Sequence, residues 1–381
     1  MNNFQFQNPT KLIFGKGMIS RLAKEMPAGA KIMVTFGGGS VKRNGVYDQV
    51  TEALKGFDYI EFWGIEPNPR IETLRKAIEI GKREGVNFLL AVGGGSVLDG
   101  TKLIAAAIPV EADGWELVIG TAPFGDCVEF ASVMTLPATG SEMNNAAVIS
   151  NTATGEKFAI HNRNPKFSIL DPTTTFTLPA YQIACGITDT YIHVMEQYLT
   201  VPNVSPLMDR WAEGVLQTLR EVAPKVQADQ ENYEQMSNYM LCATMGLNGF
   251  VSMGVPQDWA THMIGHELTA LTGITHGHTL SIVMPGVMQV LREQKGDKIL
   301  QYGERVFGIC EGTRDERVTA AIAATEEFFR SLGLKTRLSE NGVGEDVTSE
   351  IVRRFNERGT RLGEGENITG DVVAEIFKAC M

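Results

Sequence analysis

Twice in its first half the chain carries a short apolar run into three glycines and a serine: KIMVTFGGGS at 31–40 and NFLLAVGGGS at 87–96. Runs of this length without polar alternation read as strands buried on both faces, which is the grammar of a parallel sheet covered by helices. The segments around them agree. YIEFWGI reads as a further strand, VYDQVTEALKGF and ETLRKAIEIGKREG read as helices, and SVLDGTKLIAAAI reads as the helix that the second glycine turn opens. Strands alternating with helices at this spacing imply βαβ units. ASVMTLPATGSE adds a strand and turn, AAVISNTATGEKFAIHN a hairpin, and FSILDP a last strand stopped by Pro172.

After residue 178 the β signals fade. Helical periodicity recurs at 206–222, 231–249, 256–272, 315–332, 346–358 and 369–380, with Pro256 at a plausible first helical position and Gly273 and Gly333 where helix C-caps belong. The expected architecture is therefore a Rossmann-like α/β domain over 1–178 followed by a helical-bundle domain over 179–381, with the active site in the cleft between.

Glycines at the end of a buried strand bare backbone N–H groups to which a phosphate can approach without meeting a Cβ. Neither turn is GxGxxG, but two equivalent turns in one sheet, with Ser40 and Ser96 as donors, suit a dinucleotide. An NAD site ordinarily places a carboxylate near the first such turn to accept from the adenosine ribose. Here the stretch is GGGSVKRNG, with a serine, Lys42 and Arg43 instead. A 2′-phosphate would be held there and not repelled, so NADP(H) is the expected cofactor.

Five of the six histidines lie between 193 and 278. GITDTYIHVMEQYLT (186–200) reads as an amphipathic helix with Asp189 and His193 one turn apart, and PQDWATHMIGHELTALTG (256–273) puts His262 and His266 in the same relation. His276 and His278 begin the next helical run, whose short connection folds it back on its predecessor. Several imidazoles near a carboxylate are costly in an apolar bundle unless a ligand satisfies them. Such a donor set suits Fe²⁺ or Zn²⁺. HExxH is absent, and with it any support for a metalloprotease.

The remaining composition narrows the classes. A net charge of −11 argues against nucleic acid or an anionic membrane surface as the main partner. Five cysteines without CxxC indicate neither a zinc-thiolate site nor a disulfide framework and fit a reducing cytoplasm. MNNFQFQNPT lacks the basic and apolar regions of an export signal, and the apolar stretches are too short or interrupted to span a bilayer.

Taken together, GGGSVLD, LPATGSE, GITDTYIHVMEQY and HMIGHELTALTGITHGHT resemble the iron-containing (group III) alcohol dehydrogenase family over essentially the whole chain. FGGGSVK, IEPNP, AVGGGSVLDGTK, MTLPATGSE and GVPQDWATHMIGHELTA resemble its NADPH-dependent branch of butanol dehydrogenases and broad-range aldehyde reductases. The resemblance implies metal ligands at Asp189, His193, His262 and His276, with His266 lining the site without coordinating the metal; the proton for the product oxygen would then come from solvent or through His266. It implies cofactor contacts at Gly38, Gly39, Ser40, Asn68, Gly94, Gly95, Ser96, Asp99, Thr135, Thr139 and Lys157, Asp99 being with His266 a catalytic candidate. Gly38 stands where NAD-preferring members carry an acidic residue. The implied reaction is hydride transfer between NADP(H) and short- to medium-chain aldehydes or primary alcohols, in a cytoplasmic homodimer. His278 stands where several members carry a small residue, so contact with substrate and simple packing are both open to it. Polyol dehydrogenases and dehydroquinate synthase-like lyases share the superfamily. The lyase reading needs a basic pocket, and 189–193 and 262–278 carry no lysine or arginine cluster. A nucleotide-sensing or metal-storage protein is the non-enzymatic rival.

Overall fold

In the computed structural model, which describes residues 1–381, eight strands form: β1 (Lys11–Phe14), β2 (Lys31–Phe36), β3 (Asp58–Phe62), β4 (Phe88–Gly94), β5 (Glu129–Leu136), β6 (Ala146–Asn151), β7 (Glu156–His161) and β8 (Phe167–Leu170). Six of them make a parallel sheet in the order β1-β8-β5-β4-β2-β3, and β6 and β7 form a separate antiparallel hairpin. The helices are α1 (Leu22–Glu25), α2 (Ser40–Arg43), α3 (Val46–Ala53), α4 (Ile71–Glu84), α5 (Gly95–Ala107), α6 (Gly114–Val118), α7 (Ala180–Tyr198), α8 (Pro206–Ala228) and α9 (Tyr233–Gly246). They continue with α10 (Ala260–Thr272), α11 (His276–Val290), α12 (Arg292–Phe307), α13 (Arg314–Ser331), α14 (Glu345–Glu357) and α15 (Gly370–Ala379). None is long and apolar enough to cross a membrane.

The strand signals are explained by two-sided burial. Ile32, Val34 and Phe36 of β2 and Phe88, Leu90 and Val92 of β4 share one core, while Met33, Leu89 and Ala91 between them enter another on the opposite face. Alternate side chains therefore serve two cores, and no regular polar alternation is left to show the period. From β2 the chain moves outward to β3, and from β4 it moves the other way to β5. The adjacent pair β2 and β4 thus forms the sheet's topological switch point, and both glycine turns leave its carboxyl edge, where open α/β sheets bind ligands.

The chain divides into two compact units: Gln7–Leu178 with Gln230–Met240, and Met1–Phe6 with Pro179–Asp229 and Leu241–Met381. Compared with a single cut at 178/179, two segments change sides. Asn2 N–H donates to Gly254 O and Phe6 packs edge-on to Phe250, which ties the first residues into the helical unit. Gln230 Nε2 donates to the Thr175 and Leu178 carbonyls and Tyr239 Oη to Pro137 O, which ties 230–240 into the α/β unit.

Within the helical unit α7 is the axis. Every residue from Ile183 to Tyr198 is buried, and α8, α10 and α11 pack against it. A helix covered on all sides keeps no solvent face, so its apparent amphipathicity divides apolar packing from a polar line that is equally buried. Pro256 lies outside any helix: α10 begins only at Ala260, because Trp259 has φ +66°, which a helix cannot contain. Asp258 Oδ1 instead accepts from Ala260 N–H, and its carboxylate also meets the buried Lys295 at 2.7 Å.

Candidate active site

The polar line on α7 is Asp189, His193 and Glu196, one face at spacings of four and three. Asp189 Oδ1 is its centre: it lies 3.7 Å from His193 Nε2, 3.5 Å from His262 Nε2 and 3.8 Å from His276 Nε2. These separations are too long for good hydrogen bonds. They match the edges, about 3.4 Å, of a tetrahedron of donors about 2.1 Å from a common ion. The donor atoms of Asp189, His262 and His276 all lie within 4.8 Å of one another. The His193 ring stacks on His262 with centroids 4.4 Å apart. The structure therefore brings all four expected metal ligands to one carboxylate oxygen.

Close backbone approach makes this possible. Gly277, next to His276, faces the Cys185 carbonyl of α7, one turn before Asp189, so closely that a Cβ there would overlap it. The absent side chain seats the start of α11 against α7 and delivers His276 to Asp189.

A fifth group, which the sequence reading passed over, fixes the geometry. Glu196 is 2% exposed and accepts hydrogen bonds from His262 Nδ1, from Thr261 N–H at 2.5 Å and from His262 N–H at 3.3 Å. The two bonds from backbone N–H groups cap the first turn of α10, and the bond from Nδ1 turns His262 Nε2 toward Asp189. That Nε2 is buried and makes no hydrogen bond. Burial, the largest influence, opposes charge on the His262 ring, but Glu196 and Asp189 outweigh it and raise the imidazole to about 9. Burial also pushes the Glu196 carboxyl up, against the pull of His262. Two buried carboxylates around an orphaned imidazole nitrogen call for a cation, so the residues fit a divalent metal. Glu196 stands seven residues after Asp189, and that helical repeat was its signal in the sequence.

His266 is buried, its ring centroid 4.7 Å from that of His276 and 6.4 Å from that of His262. His278 points elsewhere: its Nε2 faces Lys335 O at 2.9 Å and its Nδ1 faces Tyr181 Oη at 3.0 Å. Packing and hydrogen bonding within the bundle thus account for it. Glu267 binds both Arg354 and Arg358, so the basic groups that do reach this region already have a carboxylate partner.

In the α/β unit the two glycine turns differ in why they are glycine. At Gly93 a Cβ would strike Val97 at 2.5 Å, and at Gly95 it would strike Thr139 Oγ1 at 2.6 Å; packing alone demands both. Gly94, with Leu136 Cβ at 3.0 Å, is tight as well. Gly39 has φ +94°, which only glycine adopts freely. Gly38 has neither reason: its φ is ordinary, and a Cβ would meet nothing within 4 Å. The space it leaves is available to a ligand.

Around the second turn, Asn68, at φ +57°, donates its N–H to Ser96 Oγ at 3.3 Å and accepts from Lys157 Nζ at 2.8 Å. Thr135 lies near the end of β5 and Thr139 beside Gly95. Asp99, on α5, accepts from Ser141 Oγ at 2.8 Å and from Val148 N–H at 3.0 Å, and burial pushes its carboxyl up. With both oxygens taken by protein donors, Asp99 holds the 141–148 segment on α5. Lys102, also unforeseen, completes that anchor. It is fully buried and donates to Ser141 Oγ, Asn144 Oδ1 and Ala146 O, with burial lowering its ammonium to about 8.

Residues 9–172 match the family model described as iron-containing alcohol dehydrogenase, and residues 183–381 match the C-terminal model of the same family. The chain is 49% identical, over all of both sequences, to the NADPH-dependent aldehyde reductase YqhD of Escherichia coli, whose crystal structure superposes with a TM-score of 0.98 over 100% of this chain and 99% of that one. It is 38% identical to NADH-dependent butanol dehydrogenase A of Clostridium acetobutylicum, over 99% of each. The crystal structure of NADH-dependent butanol dehydrogenase A from Thermotoga maritima is 35% identical, with a TM-score of 0.95 over 100% of this chain and 99% of that one.

Proposed function

Because the chain belongs to the iron-containing alcohol dehydrogenase family, we propose that it is an NADP(H)-linked reductase of short- to medium-chain aldehydes, working in reverse on primary alcohols. The observation that carries this reading is the convergence of three imidazole Nε2 atoms on Asp189 Oδ1 at 3.5–3.8 Å. Asp189, His193, His262 and His276 would hold one divalent ion, Fe²⁺ or Zn²⁺. When bound, the ion supplies Lewis acidity toward the carbonyl oxygen and the dinucleotide supplies the hydride.

The chain's own groups do the rest. Asp189 contributes the negative charge among otherwise neutral donors. With the ion bound, Glu196 would hold the His262 proton on Nδ1, so that Nε2 presents its lone pair. His266, beside His276 and His262, would supply a proton from a ring nitrogen to the substrate oxygen as the carbonyl is reduced. Gly38, Gly39, Ser40, Gly94, Gly95, Ser96, Asn68, Asp99, Thr135, Thr139 and Lys157 would line the dinucleotide site at the switch point of the sheet.

The relatives use both cofactors, so the preference is argued from this chain. Gly38 offers space where a carboxylate would repel a 2′-phosphate, and Ser40 and Lys42 follow it. NADPH is therefore favoured. A cytoplasmic homodimer belongs to the same proposal.

The deciding experiment mixes purified protein, NADPH and butanal, and repeats the assay after chelation and after add-back of Fe²⁺ or Zn²⁺. NADPH should be consumed, consumption should cease on chelation and return with metal. Undiminished turnover in the metal-free protein would refute the reading. A polyol dehydrogenase would instead turn over a diol or triol in preference to butanol.

A further inference from the structure

Around the first glycine turn lies a cluster of aromatic rings to which the proposed chemistry gives no part. Trp63, just beyond β3, stacks flat on Phe36, the last residue of β2, with ring centroids 4.1 Å apart and planes 11° from parallel. Tyr47 is tilted against both, 5.8 Å from Phe36 and 5.7 Å from Trp63. Over this platform sits the ammonium of Lys42, 4.1 Å from the Trp63 ring centroid and 5.1 Å from that of Tyr47. Backbone bonds from Gly64 N–H to Gly37 O and from Ile65 N–H to Phe36 O hold the segment carrying Trp63 beside the turn.

Two features make this more than surface packing. A carboxylate, Glu61, is present, but its oxygens accept from Trp63 Nε1 at 2.7 Å and from Tyr47 Oη at 2.9 Å. Lys42 is thereby held on ring faces, which attract a cation without neutralising its charge. Moreover, Lys42 is two residues after Ser40 on α2, and helical side chains lean toward the helix N-terminus. Lys42 thus leans back toward the turn, in which Gly38 carries no side chain and a Cβ would meet nothing within 4 Å.

We infer that Trp63, backed by Phe36 and Tyr47, is a specificity-determining positioning residue that holds the Lys42 ammonium ready to pair with the 2′-phosphate of the dinucleotide. This inference rests on the NADP(H) reading above. An exposed lysine gives up considerable side-chain freedom when it grips an anion, and a residue that restrains it beforehand lowers that loss.

The test needs neither metal nor substrate: calorimetric binding of 2′,5′-ADP and 5′-AMP to the whole protein. Wild type should prefer 2′,5′-ADP. Trp63→Leu should cut that preference about threefold to fivefold, the scale of one exposed cation–π contact, whereas Trp63→Phe, which keeps a ring face, should retain most of it. Lys42→Met, a surface change, should cut it further, and adding Trp63→Leu to Lys42→Met should cost nothing more.

An unchanged preference in Trp63→Leu would overturn the inference while leaving the cofactor reading standing. So would a Trp63→Leu loss that is equally large in the Lys42→Met background, since that marks a merely structural role. Should Trp63→Leu fail to fold, an unaltered preference in Lys42→Met overturns it as well. Equal binding of the two nucleotides by wild type would instead defeat the cofactor reading, and this inference with it.

Discussion

A Cβ at position 38 would meet nothing within 4 Å, so the backbone there accepts a side chain. Gly38→Asp should therefore leave the fold intact and act on the cofactor alone. We expect the NADPH-to-NADH ratio of kcat/KM to fall by at least about tenfold, ~1.4 kcal/mol, through like-charge repulsion; steady-state kinetics with both cofactors would show it, and an unmoved ratio would count against the site. Glu196 is the other residue whose single change is informative. Glu196→Gln keeps the shape and an acceptor oxygen but removes the charge that orders His262. Loss of such an outer partner typically costs about tenfold to a hundredfold in metal affinity, which competition with a chromophoric chelator would measure. Wild-type affinity in that variant would show that His262 is oriented by something else.

At the scale of elements, the contact between α7 and α11 sets the site. Gly277→Ala would force a methyl against the Cys185 carbonyl, a backbone atom that cannot rotate away. Overpacking of this kind costs about 1–3 kcal/mol, and here it also moves His276 from Asp189. Both the melting temperature and the bound metal should fall; a variant that loses stability but keeps full metal would show that α11 is placed by other contacts. The anchor of the 141–148 segment on α5 has a pH signature. The folded protein holds Lys102 at about 8, below the ordinary 10.5, because burial disfavours the ammonium more than Asp99 and Glu142 restore it. Between those two values the unfolded chain binds more protons, so this group's contribution to stability rises with pH across that window, by about 3 kcal/mol in all. The difference in urea stability between wild type and Lys102→Met should widen in favour of wild type from pH 8 to 10. A pH-independent difference would mean that Lys102 stays charged.

Over the whole molecule, what the sequence disclosed follows from where periodicity survives burial. The strands of the central sheet and their glycine turns were readable because both faces are apolar and the chain must turn at each end. The Asp189/His193 and His262/His266 pairs were readable because ionisable groups stand out in apolar helices. Glu196 repeats on the same face, yet a lone glutamate attracts no notice until a partner from another helix is seen. Lys102 was invisible for the same reason, its acceptors lying some 40 residues away in sequence. The start of α10 was misplaced because Pro256 suits a first helical turn, whereas the positive φ of Trp259 and the Asp258 cap are set by tertiary contacts. Likewise, 1–6 and 230–240 change units through bonds such as Asn2 to Gly254 and Tyr239 to Pro137, which no local pattern announces. The proposed function requires an ion at Asp189. Metal content per chain, determined alongside butanal turnover for wild type and Asp189→Ala, tests it most directly. The prediction is one ion per active wild-type chain, and neither ion nor turnover in a variant that still folds; a variant that retained a full complement of metal and wild-type turnover would contradict it.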